Sequence, residues 1–345
     1  MRSSPRAWKE RCRCGASSTW GARWRRASIW RAPATPPAWR RCWWLATSTR
    51  RSSAQLREGA PGAPRRVARP SARGGYARRV PPRATLRDLA LAAARAAGSE
   101  VLSARSDARA LAPESKSAGD YVTAVDRAAE AAALAVLAAG TPEIPVLAEE
   151  SGGVAAERMW VVDPVDGTTN LLRGYPEVGV SVALVEHGRP VAGAVTAPLT
   201  GEAWCAALGE GAFDGSGRRL GVRERPGAEV VATGFPFRRK ADNLARYQPV
   251  LEAALRRFED LRRPGAASLD LAYAAAGVWD GYFELGLALW DIAAGALLVR
   301  EAGGVVTDWA GDADAVFRSG DILAGTPGWH AAMLELIGTA RIAVP

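Results

Sequence analysis

Pairs of acidic residues end two short apolar runs of this 345-residue chain. Asp163 and Asp166 end the run in the stretch WVVDPVDGTTN, and Glu149 and Glu150 end the run in IPVLAEE. Asp291 stands where a third apolar segment is predicted to start a helix. Because α/β proteins gather binding groups at strand ends and helix starts, we expect these carboxylates to lie close together.

A divalent cation would offset the repulsion among such carboxylates. A buried unpaired charge costs several kcal/mol. Mg²⁺ prefers oxygen ligands and keeps water and substrate phosphates in its shell, and two such ions about 4 Å apart can hold an attacking water and a leaving oxygen in one displacement. The acidic residues therefore predict a magnesium site that promotes a displacement reaction.

The residues between and after the two aspartates suit such a site. Pro164 fixes its own φ and forces the preceding residue into an extended conformation, so the turn can aim both carboxylates and the Val165 carbonyl at one point. Gly167 allows the backbone to approach a ligand closely, and Thr168 could pass a proton from metal-bound water to Asp126. The alternative is a plain Asx turn, which would use one aspartate and leave the other in solvent.

The net charge of +9 is divided unevenly along the chain. Residues 1–80 hold 19 Arg and one Lys against two Glu, a net charge of +18, whereas residues 81–345 carry a net charge of −9. We interpret residues 1–80 as a basic low-complexity leader, either a disordered arm or a segment translated from an upstream start, with the true start near Val80. A targeting peptide and a nucleic-acid-binding arm are the alternatives. We favour the first interpretation and expect no nucleic-acid partner.

Cysteine, histidine and hydropathy exclude several classes of protein. Cys205 is the only cysteine after residue 80, so residues 81–345 form no internal disulfide, which fits a reducing compartment and a cytoplasmic location. The two histidines, His187 and His330, are too few for a His-rich metal site or His-based phosphotransfer. No apolar run reaches eighteen residues, which predicts no membrane span and no membrane partner.

Apolar spacing predicts the elements that carry these residues. Helices are expected over Thr85–Leu102, with Thr85 as N-cap, and over Asp120–Gly140, and a hairpin is expected over Val178–Pro198. The second half alternates strands with helices over Asn243–Phe258, Ser268–Val278 and Trp290–Gly304. The pattern predicts a mixed α/β, or α+β, fold of layered sheets and helices, with subdomains of about 81–227 and 228–345.

Four segments together resemble the inositol monophosphatase family: DYVTAVD at 120–126, LAEES at 147–151, WVVDPVDGTTN at 160–170 and LALWDIAAGALLVREAGG at 287–304. The resemblance covers about residues 84–340. It implies an αβαβα sandwich of the sugar-phosphatase type and a lithium-sensitive phosphomonoesterase that uses two or three Mg²⁺ per active site. It also implies a homodimer that acts on a small phosphate monoester, with inositol-1-monophosphate favoured.

The resemblance assigns roles residue by residue. The metal ligands would be Glu149, Asp163, the Val165 carbonyl, Asp166 and Asp291. Substrate contacts would come from Asp166, Gly167, Thr168, Gly265, Ala266, Ala267 and Glu284. Asp126 and Thr168 would activate a metal-bound water for direct in-line attack. Glu150 would lie just behind the metal ligands, and Lys116 would lie near a weaker third metal position.

One departure from the family pattern leaves the fine substrate preference open. Family members usually carry Gly-Ser/Thr-Ala-Ala before the helix placed at Ser268, whereas this chain has Gly265-Ala266-Ala267-Ser268 and lacks the hydroxyl after the glycine. Thr169 in the DGTTN motif favours the inositol branch over histidinol-phosphate relatives. Histidinol-phosphate, fructose-bisphosphate and adenosine-bisphosphate phosphatases are alternatives. A non-catalytic scaffold with an RNA-binding basic arm is the alternative outside enzymes.

Overall fold

The computed structural model describes residues 82–105, 111–112, 114–117, 120–237 and 240–342, except for the side chains of 114–117, 120, 121, 341 and 342. The predicted leader, residues 1–80, lies outside the described residues. In the described part of the chain, the helices are α1 Arg83–Ala104, α2 Ala124–Gly140, α3 Thr168–Arg173, α4 Lys240–Arg257, α5 Ala267–Ala275, α6 Leu289–Glu301, α7 Val316–Ser319 and α8 Pro327–Ile342.

Most of the strands form two sheets. The strands are β1 Glu114–Ser117, β2 Asp120–Val122, β3 Val146–Ala148, β4 Arg158–Asp166, β5 Gly179–Glu186, β6 Arg189–Ala197, β7 Glu202–Ala207, β8 Gly211–Asp214, β9 Val230–Thr233, β10 Asp260–Arg262, β11 Gly281–Glu284, β12 Val305–Thr307 and β13 Ile322–Gly325. The first sheet has the order β3-β4-β5-β6-β7-β8 and is antiparallel apart from the β3–β4 pair. The second has the order β10-β9-β11-β13-β12, with β10, β9 and β11 parallel.

Three apolar cores hold five layers together, and the largest of them lies on both sides of the middle helix layer. The inner face of the first sheet packs on α5 and α6, which also cover one face of the second sheet. The other face of the first sheet packs on α1 and α2, and the other face of the second packs on α4 and α8. Every sheet face therefore buries its apolar side chains against a helix layer. The predicted mixed α/β αβαβα sandwich is confirmed, while the division into two subdomains stays a prediction.

The first two helices begin at other residues than predicted. Thr85 is not an N-cap, because α1 already begins at Arg83 after Pro82. The second helix begins at Ala124 rather than Asp120, because residues 120–122 pair with β1 in a small hairpin. Thr123 caps α2, since its hydroxyl accepts the Val125 amide and Asp126 completes a capping box. None of the described helices is both long and apolar enough to cross a membrane.

Candidate active site

A bulge in β4 brings Asp163 and Asp166 to the same side of the first sheet. Residues three apart on a regular strand point to opposite faces. Here Asp163 pairs with Ser181 and Asp166 pairs with Gly179, so β4 has one residue more than β5 between the two pairs. Because of this extra residue, the side chains of Asp163 and Asp166 point to the same face of the sheet, toward the layer of α5 and α6.

Asp291 reaches the same point from the start of α6. It is the third residue of the helix, and its Oδ2 accepts the Ala288 amide at 2.7 Å, which fixes the side chain against the helix terminus. One carboxylate oxygen each from Asp163, Asp166 and Asp291 lies within 4.8 Å of the others. A strand end and a helix start therefore meet at a cluster of three acids.

The electrostatics of Asp163 show how unfavourable this cluster is for anions alone. Burial raises the pKa of Asp163 well above its ordinary value, and the acidic neighbours Glu149, Asp166 and Asp291 raise the pKa further. A hydrogen bond with the Glu149 side chain also contributes. Asp163 Oδ1 accepts the Val165 amide at 3.0 Å, so the Asx-type turn exists. It does not leave the second aspartate in solvent, because Asp166 is half-buried and hydrogen-bonded to Ser268.

The donor set suits a hard divalent cation. All three clustered ligands are carboxylates, and Mg²⁺ and Ca²⁺ bind oxygen donors of this kind. A cation among them would remove the repulsion that raises the Asp163 pKa. Glu149 lies beside the cluster through its contact with Asp163, and its amide donates to the Val162 carbonyl at 3.1 Å. The residues present therefore fit a Mg²⁺ centre.

Asp126 and Thr168 meet next to this cluster. Asp126 is buried, and its Oδ2 accepts both the amide and the hydroxyl of Thr123, so α2 holds the carboxylate in one orientation. Thr168 Oγ1 lies 3.1 Å from Asp126 Oδ1 and 3.2 Å from the Val165 carbonyl oxygen. The hydroxyl has one proton and two acceptors. When it donates to Asp126, its lone pairs can accept a proton from water.

Gly167 and Asn170 tie this turn to the start of α5. Gly167 has φ of 94°, and a Cβ there would come 2.8 Å from the Glu177 carbonyl oxygen, so both conformation and space require glycine. Asn170 Nδ2 donates to the carbonyls of Glu177 at 2.8 Å and Pro264 at 3.0 Å. The sequence analysis gave Asn170 no role, although its place in the DGTTN motif was the available signal.

The predicted substrate contacts Gly265, Ala266 and Ala267 lie at the start of α5, where Ala266 is the N-cap. Ser268, the next residue, donates both its amide and its hydroxyl to Asp166 Oδ2, at 2.7 and 2.6 Å. The sequence analysis gave Ser268 no role beyond the predicted start of a helix. The structure thus brings the three predicted residues next to the acidic turn.

Glu284 lies at the end of β11, outside the three-acid cluster. It accepts the hydroxyl of Tyr282. The fully buried Asp270 interacts with both Glu284 and Asp166. Burial raises the pKa of Asp270 well above its ordinary value, and the charges of Glu284 and Asp166 raise it further. The sequence analysis missed Asp270, because an acid inside an apolar helix pattern gives no sign of what it faces.

Glu150 is held from α2 by a residue that the sequence analysis also missed. Glu130, which is buried, accepts the Glu150 amide at 2.8 Å and the Ser151 amide at 2.9 Å through its two oxygens. The turn that carries Glu149 is therefore fixed by a carboxylate behind it. Lys116 lies in β1, and its side chain falls outside the described residues.

Fold and site together define the class: an αβαβα protein with a cluster of carboxylates between its sheets whose donor set suits a cation. The sequence model of the inositol monophosphatase family matches residues 83–341. The chain belongs to the inositol monophosphatase family.

Named relatives and solved structures share nearly their whole length with this chain. The Nus factor SuhB of Pseudomonas aeruginosa is 42% identical over 258 residues, which cover 72% of this chain and 94% of that protein. The Nus factor SuhB of Escherichia coli is 39% identical over 251 residues, with coverages of 72% and 93%. The crystal structure of suhB from Bartonella henselae has a TM-score of 0.68 at 36% identity, covering 73% of this chain and 98% of that one. The inositol monophosphatase of Anabaena has a TM-score of 0.65 at 32% identity, covering 74% and 96%.

Proposed function

We propose that the chain is a Mg²⁺-dependent phosphomonoesterase whose favoured substrate is inositol-1-monophosphate. The observation that carries the proposal is the convergence of Asp163, Asp166 and Asp291 within 4.8 Å, beside the hydrogen-bonded pair Thr168 and Asp126. Family membership supports phosphatase chemistry of this kind.

The acids at the sheet edge would hold the cation, and the neighbouring residues would handle the proton. Asp163, Asp166, Asp291 and Glu149, with the Val165 carbonyl, are the proposed ligands. Bound Mg²⁺ would supply the positive charge that activates water and neutralises the leaving oxygen. Thr168 would accept a proton from the attacking water and pass its own proton to Asp126, whose position is fixed by the capping box of α2. The hydrolysis is then direct, without a phosphoenzyme.

Backbone and one further acid would bind the substrate. Gly167 gives the turn its left-handed conformation, and the Gly265–Ala267 segment is fixed beside it by Asn170. Glu284 would accept hydrogen bonds from substrate hydroxyls. A polyol phosphate suits an acidic contact of this kind, because hydroxyl groups donate to carboxylates.

Phosphate release from a panel of sugar, inositol, histidinol and nucleotide phosphates tests the proposal. We expect hydrolysis that requires Mg²⁺, is inhibited by Li⁺ and is fastest with inositol-1-monophosphate. Faster hydrolysis of another phosphate ester would change the proposed substrate but not the proposed Mg²⁺-dependent hydrolysis. Absence of release from every ester at saturating Mg²⁺ would contradict the proposal. The homodimer and the cytoplasmic location stay predictions.

Asp166→Asn is the sharpest single test of the site. The change keeps the shape and removes the charge of a proposed ligand, and we expect turnover below about 1% of the wild-type rate, because even groups behind metal ligands contribute 10- to 100-fold. Circular dichroism should show an intact fold. Near wild-type turnover at saturating Mg²⁺ would show that the site is assigned wrongly.

A second candidate function follows from the name Nus factor that the SuhB relatives carry. A non-catalytic scaffold would not need turnover, and if its basic arm binds RNA, the 19 Arg of residues 1–80 are the candidate contacts. RNA binding should be measured against salt for the full chain and for residues 81–345. Strong salt-dependent binding lost on truncation, with Asp166→Asn unaffected, would favour this role.

A further inference from the structure

A buried serine hydroxyl faces the candidate metal ligand Asp166. Ser268 is 0% exposed, and its Oγ lies 2.6 Å from Asp166 Oδ2. The Ser268 amide donates to the same oxygen at 2.7 Å. A carboxylate oxygen can accept two hydrogen bonds, so the amide and the hydroxyl of this one residue together hold Asp166 Oδ2 in place.

The first sheet makes room for this hydroxyl. Gly179, the residue on β5 that pairs with Asp166, has no side chain, and a Cβ at this position would clash with Ser268 Oγ. The hydroxyl therefore occupies the place that any larger residue on β5 would fill. Two residues from different elements, Gly179 and Ser268, are thus matched to each other at the acidic turn.

The Ser268 hydroxyl contacts the proposed metal ligand Asp166, whereas position 266 lies beside Gly167. The chain lacks a hydroxyl at Ala266 and has one two residues later. Ala266 lies near Gly167 instead, since a Cβ on that glycine would come 3.5 Å from the Ala266 Cβ. A hydroxyl at 266 and one at 268 would therefore contact different parts of the site.

We propose that Ser268 is a positioning residue that holds Asp166 for cation binding and so sets the metal affinity of the centre. The inference rests on the proposed function for its biological meaning, but its test does not need turnover. A group that orients a metal ligand from behind typically contributes 10- to 100-fold to metal affinity.

Mn²⁺ binding to the full chain, measured by electron paramagnetic resonance, is the primary readout. We expect Ser268→Ala to weaken Mn²⁺ binding about 10-fold or more and to raise the Mg²⁺ concentration needed for half-maximal turnover, while kcat at saturating Mg²⁺ changes much less. Thr196→Val is the matched control, because the Thr196 hydroxyl is also buried but donates to the Ala94 carbonyl on α1. It should leave Mn²⁺ binding unchanged.

Moving the hydroxyl from position 268 to position 266 tests whether its contact with Asp166 matters, or only the presence of a polar group near the site. The double variant Ala266→Ser with Ser268→Ala should bind Mn²⁺ as weakly as Ser268→Ala alone, and recovery of wild-type affinity would overturn the inference. If Ser268→Ala does not fold, Ser268→Cys keeps a weak donor at the same position and should bind Mn²⁺ with reduced affinity. A Ser268→Ala variant that folds and binds Mn²⁺ with unchanged affinity would also overturn the inference.

The outcomes also separate this inference from the proposed function. A wild-type chain that binds Mn²⁺ but hydrolyses no phosphate ester would sink the proposed function and leave the role of Ser268 standing. A Ser268→Ala variant that binds Mn²⁺ like the wild type would do the reverse. If the wild-type chain bound no Mn²⁺, both would fall.

Discussion

Single residues in the opening motif were predictable, but their supporting partners were not. Asp163, Asp166 and Asp291 each follow an apolar run, and that local pattern was enough to expect them together. Ser268 lies 102 residues from the aspartate it contacts, and Pro264 lies 94 residues from Asn170. Contacts over such separations depend on how layers stack, which no local spacing encodes.

Replacing Thr168 by alanine tests the proposed proton path. We expect kcat to fall by about 10²- to 10⁴-fold, the usual contribution of a positioned acid–base group, because Asp126 loses the hydroxyl 3.1 Å from its Oδ1. The free energy of unfolding should change by only about 1 kcal/mol for one hydrogen bond.

Thr169→Ala is the control for this variant, since the neighbouring residue is exposed. It should turn over at the wild-type rate. Equal losses in the two variants would show that the hydroxyl of Thr168 has no special role.

Elements of strong apolar period were predicted well, and two very short ones were missed. The hairpin of β5 and β6 and the helices α4 to α6 lie within a few residues of their predicted bounds. The three-residue strand β10 and the four-residue helix α7 carry too few residues to show a period. The start of α2 was wrong because the capping box of Thr123 and Asp126 outweighs the apolar residues before it.

Glu130→Gln tests how α2 supports the acidic turn. Glutamine offers one acceptor where the carboxylate now accepts two amides, so one amide would face an N–H group. We expect a loss of about 1.5–3 kcal/mol in unfolding free energy, the range for bonds to a charged group, and Mg²⁺ affinity about 10- to 100-fold lower. Isothermal titration with Mg²⁺ and thermal melts would measure both.

The exposed Glu100, at the far end of α1, gives a matched control with the same change of charge. Glu100→Gln should leave melting and Mg²⁺ binding unchanged. Unaltered Mg²⁺ affinity in Glu130→Gln would mean that the turn does not depend on α2.

At the scale of the whole molecule, the strand and helix pattern predicted layered sheets and helices, because each sheet must bury its apolar faces, while the αβαβα order was implied by the family resemblance. The burial of acidic side chains between those layers was not predictable. Asp163 and Asp270 both lie in the middle of the sandwich, and burial is the first cause of the raised pKa of each.

Stability of the metal-free protein should therefore fall as pH rises. A carboxyl whose folded pKa is raised contributes its full stability below the unfolded value near 4, and loses it as pH climbs through the folded value. In EDTA we expect the melting temperature to drop between pH 5.5 and pH 8, because the free energy of unfolding falls by up to about 1.4 kcal/mol per pH unit for each titrating group. Mg²⁺ should raise the melting temperature more at pH 8 than at pH 5.5, since it binds the ionised form.

Asp270→Asn separates the contributions of Asp163 and Asp270 to the pH dependence of stability. It should flatten the pH dependence in EDTA, because one of the two buried acids no longer ionises, and it should keep the response to Mg²⁺, because Asp163 remains. A melting temperature that rises with pH in EDTA, or an unchanged slope in Asp270→Asn, would contradict this account.

The bulge in β4 means that this site is encoded partly by the number of residues in a segment. Insertion of a further residue between Asp163 and Asp166 would keep both acids in the chain, yet Asp166 would turn to the opposite face of the sheet, toward the α1 and α2 side. Lineages that keep the chemistry should therefore tolerate exchanges of Val165 for other side chains far better than insertions there. Alignments that score only residue identity would overlook this constraint.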